Sequence, residues 1–176
     1  MRQLAIAEDG TIIDETMAFD QENPGIVIES ENLLLKHDRG DFAISGQFQT
    51  APNEDGGNRA ILDNMHALGG FAVMVGRADR SYKGKLFFTV TGPGEDDDVT
   101  LFSDERVDDN QTHMFAVYVT NGAMQMVIDG VEQQTVSYGP GTTATAPPQA
   151  PVTIGGDFVG TITDLRMHPD GNMTTR

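Results

Sequence analysis

Residues 112–130 constrain the fold of this chain more than any other stretch. They read Thr-His-Met-Phe-Ala-Val-Tyr-Val-Thr, then Asn121-Gly122, then Ala-Met-Gln-Met-Val-Ile, then Asp129-Gly130. Two apolar runs of strand length are each closed by a two-residue corner. Corners of the Asn-Gly and Asp-Gly type need positive φ at both central residues, and their twist matches that of the strands they join. The stretch therefore predicts consecutive hairpins, with strands at 113–120, 123–128 and 131–138, and an antiparallel all-β chain.

Turn signals at short intervals divide the rest of the chain in the same way. In 42–48, Phe42, Ile44 and Phe48 face one way while Ala43, Ser45 and Gln47 face the other, the pattern of a half-buried strand. Further strands are predicted at 17–20, 25–29, 60–65, 71–75, 85–90, 99–103, 152–155 and 158–167. Residues 4–7 and 11–13 flank Glu8-Asp9-Gly10 and predict a small N-terminal hairpin. No segment holds a sustained helical period. Many short, evenly spaced strands imply a two-sheet antiparallel jelly-roll sandwich. Phe158, Gly160 and Ile162 share a face that Leu165 leaves, so a bulge near Thr163-Asp164 is required to return Leu165 to the core. The 176 residues divide into a hairpin or arm at 1–16, a sandwich at 17–168 and a flexible tail at 169–176.

The formal net charge is −16, from 27 acidic and 11 basic residues. The basic residues read as sparse and unclustered. Binding to a phosphate backbone depends on basic groups that release counterions, so nucleic acids and anionic membranes are excluded as partners. The chain has no Cys, which excludes a disulfide framework, thiolate-bound zinc and a thiol nucleophile. No apolar run approaches the length of a membrane span, so no membrane insertion is expected. The apolar patch after Met1-Arg2-Gln3 ends at Glu8-Asp9, too soon for a signal peptide. The chain is then kept in the cytosol, leaves by a route such as cell lysis, or has lost a leader.

With these residues in place, the chain resembles the laminin G-like branch of the concanavalin A-like lectin and glucanase superfamily, which also contains the pentraxins. Ala18-Phe19-Asp20 matches the family's opening strand and Phe42-Ala43-Ile44-Ser45 the strand that follows. His113 heads the long central strand, with Asn121-Gly122 and Asp129-Gly130 at its corners. Ile154-Gly155 and Phe158-Val159-Gly160-Thr161-Ile162 close the pattern. The resemblance spans 17–168 and implies a concanavalin A-like sandwich. The family's Trp before the His is Thr112 here, and the chain has no Trp. Pentraxins draw most of their calcium ligands from a long acidic loop, where this chain has only Gly156-Asp157. Calcium-dependent binding of the pentraxin kind is therefore not implied.

Glycosidases of the same superfamily set acids at alternate positions of one strand, so that two carboxylates flank the scissile bond about 5 Å apart. No such strand is present, and no catalytic residue is expected. The run Glu95-Asp96-Asp97-Asp98 follows Gly92-Pro93-Gly94, which marks a turn. Asp96, Asp97 and Asp98, with Asp108, Asp109 and Asn110, supply the oxygen donors that suit calcium. Plain solvated loops account for the same residues, and no other cofactor is expected. His37, His66, His113 and His168 lack metal-ligand spacing, and His113 falls at a family position that is structural. No serine nucleophile elbow or phosphate loop occurs. Tyr82 and Tyr138 are the candidate sugar platforms, with ordinary rim packing as the alternative. Residues 139–151, with Pro147-Pro148, read either as a long surface loop or as an arm that docks on a neighbouring subunit.

These readings converge on a non-enzymatic recognition or assembly module, with protein partners or copies of itself. The leading expectation is a structural or adhesion protein on a particle surface, such as a phage virion decoration or tail-associated protein. The alternative is an extracellular or cell-surface glycan-binding module, and the third reading is a polysaccharide-cleaving enzyme with a degenerate motif.

Overall fold

The computed structural model of the chain describes residues 11–28, 42–64, 70–91, 98–120, 122–137 and 151–168. These residues form no helix. They contain β1 (Thr11–Phe19), β2 (Ile26–Ile28), β3 (Phe42–Thr50), β4 (Arg59–Asp63), β5 (Gly70–Val75) and β6 (Lys85–Thr91). They continue with β7 (Val99–Arg106), β8 (Thr112–Thr120), β9 (Ala123–Ile128), β10 (Val131–Ser137), β11 (Val152–Ile154) and β12 (Gly160–His168).

The strands form two six-stranded sheets, ordered β1-β12-β3-β8-β9-β10 and β2-β11-β4-β5-β6-β7. All pairings are antiparallel. The jelly-roll sandwich expected from alternation and corner residues is the architecture found. At the corner between β9 and β10, Asp129 and Gly130 have φ of 51° and 80°, the backbone an Asp-Gly corner demands. The register then sets Phe115 opposite Ile128, Val117 opposite Met126 and Val119 opposite Met124. All six are buried between the sheets. Phe42, Ile44 and Phe48 meet Val73, Phe88 and Leu101 from the other layer in one continuous core. Burying each such side chain contributes roughly 1.5–3 kcal/mol.

The bulge in β12 lies where alternation demands it. The pairing of β12 with β3 slips between Thr163 and Arg166, Asp164 takes φ of 51°, and Leu165 is fully buried. Gly46 on β3 makes room for it. A Cβ at Gly46 would lie 3.3 Å from the Leu165 side chain and 3.2 Å from Phe115.

Two sequence boundaries move. β1 runs unbroken through the expected junction at 16 and 17, because its N-terminal half pairs with the bulged half of β12 (Thr11 with Arg166, Ile13 with Leu165). The other arm of the expected N-terminal hairpin, 4–7, lies outside the described residues. β7 continues to Arg106, beyond the 99–103 expected for it, because Lys85 on β6 pairs with Arg106.

The residues that carried the family resemblance meet in the core. Phe158 packs edge-on against Phe19 and Phe48, at 6.4 and 6.5 Å between ring centroids. His113 lies over Phe48 at 5.8 Å. Gly155 has φ of 72°, and a Cβ there would come within 2.3 Å of the Phe19 ring. Phe19, Gly155 and Phe158 of the pattern thus serve the packing of the core.

Candidate functional site

The connections β1–β2, β3–β4, β5–β6, β7–β8, β9–β10 and β11–β12 share one end of the sandwich, and all lie within the described residues. Hydrogen bonds cross between them. Ala78 N–H donates to Gly56 O at 3.1 Å and Arg77 N–H to Asn58 Oδ1 at 2.9 Å. Val107 N–H donates to Gly84 O at 2.8 Å, and Ala60 N–H to Gly156 O at 2.8 Å.

At the centre of this end lies Asp108, whose side chain is fully buried. Its carboxylate accepts the Asn53 N–H at 2.7 Å and two bonds from the Arg106 guanidinium, at 2.8 and 2.7 Å. Burial pushes the Asp108 carboxyl up, but Arg106 and the Asn53 N–H outweigh it and hold the group below its ordinary range. Buried Asn53 extends the lattice through Gly57 O and Gly76 O. Arg59 donates to Thr50 Oγ1 at 2.7 Å and Ala51 O at 2.6 Å. Burial lowers the Arg59 guanidinium, against the opposing pull of Asp108 and Asp55.

His113 forms a second clasp. Its Nδ1 lies 2.7 Å from Asp129 Oδ2 and its Nε2 lies 2.9 Å from Asp109 Oδ1. Burial lowers the imidazole pKa, yet the two carboxylates outweigh burial and hold it above the ordinary value. The clasp ties the β9–β10 corner to the β7–β8 connection.

The calcium candidates within the described residues fall in two places. Asp98 precedes β7, whereas Asp108, Asp109 and Asn110 follow it. Eight extended residues separate the two groups by roughly 26 Å. Asp108 turns inward to Arg106, and Asp109 is bound to His113 and to the Gln111 N–H. Asn110 has φ of 63° and uses its backbone, with N–H to Thr50 O and its carbonyl accepting from Gln49. Among the described residues, no three His, Cys, Asp or Glu side chains group as a metal site. Asp96, Asp97, Tyr138, Pro147 and Pro148 lie outside the described residues.

Tyr82 sits in the β5–β6 connection, which folds back over the outer face of the second sheet. Met74, Phe87 and Phe102 stand in register across that face. The Tyr82 ring covers Phe87 at 5.4 Å and Phe102 at 5.2 Å, and Phe87 is only 7% exposed although it points away from the core. Tyr82 and Phe102 remain half-buried, so the cluster presents aromatic surface. The neck of the connection is closed by Gly76 N–H to Lys85 O at 2.9 Å and Gly84 N–H to Gly76 O at 3.1 Å. Gly76 is glycine for a visible reason: a Cβ there would stand 2.2 Å from Tyr82 O.

The basic residues are not scattered. Arg77, Arg80, Lys83 and Lys85 fall within nine positions around Tyr82, with Asp79 as the single acid among them. Strand pairing brings Arg106 beside Lys85. Arg77 pairs with Asp79, and Lys83 with Glu54, whose other oxygen lies 3.6 Å from Arg106. The Lys83 ammonium, then Arg106, hold the Glu54 carboxyl below its ordinary range. Reading the sequence for charge within short windows would have exposed this cluster. Phe87 and Phe102 lie among core residues in sequence, and only their register marks them as outward.

A laminin G family model described as "Concanavalin A-like lectin/glucanases superfamily" matches residues 21–170. No curated protein sequence matches the chain. Among solved structures, domains LG4-5 of the mouse laminin alpha1 chain superpose with TM-score 0.68 at 14% identity, covering 98% of this chain and 46% of that one. The binding domain of botulinum neurotoxin serotype D gives TM-score 0.67 at 10% identity, covering 97% and 43%. The CBM40 of a Ruminococcus gnavus IT-sialidase, bound to alpha2,3 sialyllactose, gives 0.59 at 12%, covering 97% and 95%. The chain spans less than half the length of the laminin and toxin structures. Matched over most of its length, the chain belongs to the concanavalin A-like lectin/glucanase superfamily as a laminin G-like domain.

Proposed function

We propose that the chain is a non-enzymatic recognition module that binds glycans on the aromatic surface formed by Tyr82, Phe102 and Phe87. The observation that carries the reading is the Tyr82 ring seated over two outward phenylalanines on a loop fixed at its neck. Aromatic faces bind the apolar faces of sugar rings, and a loop held in place beforehand loses little entropy on binding. Asp108 is the one buried carboxylate among the described residues, and Arg106 neutralises it. That arrangement supports binding rather than paired-acid hydrolysis. A sialidase module bound to sialyllactose and a neurotoxin binding domain share this fold, which adds support. A glycan target places the module outside the cell or on a surface. The expectation of a virion decoration or tail-associated protein draws nothing from these similarities.

The test is a glycan array followed by titration of each hit. Binding that drops about tenfold or more in Tyr82→Ala, in protein of unchanged circular dichroism, supports the reading. An array without hits, or hits indifferent to Tyr82, overturns it.

A further inference from the structure

We infer that the glycan bound at Tyr82 is acidic, carrying carboxylate or sulfate groups, and that Glu54 occupies the ligand's place on Lys83 and Arg106 until the ligand displaces it. The inference rests on the glycan reading and narrows it to a class of ligand.

The charge distribution points this way. The protein carries net charge −16, so a run of four basic residues within nine positions stands out from the rest of the chain. Four of the 11 basic residues lie in 77–85, and Arg59 and Arg106 join them at the same end of the sandwich. Their pairing is uneven. Asp79 takes Arg77, and Asp108 takes two nitrogens of Arg106. Arg80 and Lys85 make no ion pair among the described residues, and Arg80 is exposed. Lys85 is half-buried and lies two positions from Phe87 on the same strand, beside the aromatic cluster.

Glu54 is the movable acid of the group. Its side chain is 64% exposed and lies on the β3–β4 connection, with one oxygen at Lys83 and the other 3.6 Å from Arg106. A ligand carboxylate or sulfate presents the same oxygens to the same two cations. Glu54 then returns to water at little cost, because exposed ion pairs contribute little. Asp108 cannot leave in this way, since its side chain is fully buried. A nucleic acid would meet the same loop, but the −16 surface around it repels an extended polyanion, whereas a short acidic saccharide needs only the loop.

The experiment is equilibrium titration of the full chain with three probes: chondroitin sulfate oligosaccharides, oligogalacturonate and a neutral β-glucan oligosaccharide. The first carries sulfate and carboxylate, the second carboxylate alone. The expected result is binding of an acidic probe that weakens with added salt and falls about tenfold in Arg80→Ala/Lys85→Ala. Glu54→Gln strengthens it several-fold, while Asp14→Asn, which removes one negative charge on the far edge strand, leaves it unchanged. Preference for chondroitin sulfate assigns sulfate as the favoured group, and equal binding assigns carboxylate. Tyr82-dependent binding of the neutral probe, without any effect of salt, Arg80 or Lys85, overturns this inference and leaves the glycan reading standing. No binding to any of the three, with none on the wider array, removes both. A change of oligomeric state in the double variant, without change in saccharide binding, also overturns the inference and assigns the patch to contacts between copies.

Discussion

The side-chain amide of Gln134, on the last strand of one sheet, accepts the backbone N–H of Phe102, on the edge strand of the other, at 3.2 Å. Gln133 does the same for Asp104 N–H at 3.0 Å. The register of β10 slips between Glu132 and Gln134, so adjacent glutamines both reach across. Two edges are joined without a shared ladder, and the donors that would template another strand are occupied.

Replacing both glutamines by alanine should therefore raise amide exchange at Phe102 and Asp104 and cost about 1–2 kcal/mol. Hydrogen exchange read residue by residue checks this. Unchanged protection at both amides would show that the glutamines do not close the edge.

The His113 clasp makes stability depend on pH. The folded imidazole titrates above its ordinary value because Asp129 and Asp109 together outweigh its burial. Its contribution is complete below the unfolded value of about 6.5 and is lost as pH rises through the raised folded value. Melting temperature should accordingly fall as pH rises above about 6.5, and His113→Gln should flatten that part of the profile. Parallel profiles for the two proteins would rule the clasp out.

Asp108 acts with the opposite sign. Its folded carboxyl titrates below the ordinary range, so its contribution is present above the unfolded value of about 3.9 and lost as pH falls through the folded one. Asp108→Asn should cost about 2 kcal/mol at neutral pH, reduced because Arg106 is partly solvated, and the deficit should narrow on acidification. Urea denaturation at neutral and acid pH measures both. A deficit independent of pH would assign the loss to packing instead.

Two glycines with similar backbone angles should respond differently to alanine. Gly155 has φ of 72° with Phe19 Cδ1 at 2.3 Å from a built Cβ, while Gly130 has φ of 80° and nothing within 4 Å. Gly130→Ala should cost about 1 kcal/mol, from backbone strain alone. Gly155→Ala adds overpacking and should cost about 3 kcal/mol. Equal midpoints in denaturant would contradict the packing assigned to Phe19.

Gly76→Ala links fold to site. Its methyl group would collide with Tyr82 O, so the loop must shift and carry the ring away from Phe87 and Phe102. Saccharide binding should weaken about tenfold or more while the core stays folded. Retained affinity would show that Tyr82 is not the platform.

The fold was legible in the chain because its signals are local. Phe42, Ile44 and Phe48 alternate, Asp129-Gly130 names its own corner, and the phase error at Leu165 announces a bulge. The site was legible only in part. Tyr82 stood out as a tyrosine between glycines, but its partners did not, since Phe87 reads like its core neighbours Leu86 and Phe88. Asp108 and Asp109 read as one acidic run, yet adjacent side chains leave the backbone in different directions. One turned into the interior, onto the Asn53 N–H, and drew Arg106 down from the surface, and the other found His113.

Alternation and corner residues, by themselves, determined that this chain forms antiparallel strands with one face buried, because both act between residues close in sequence. Which ends those strands share, which carboxylate meets which cation and which phenylalanines face outward were decided by the packing of two sheets. Those contacts join residues as distant as Asn53 and Asp108, and a one-position change of register would send each side chain to the opposite face.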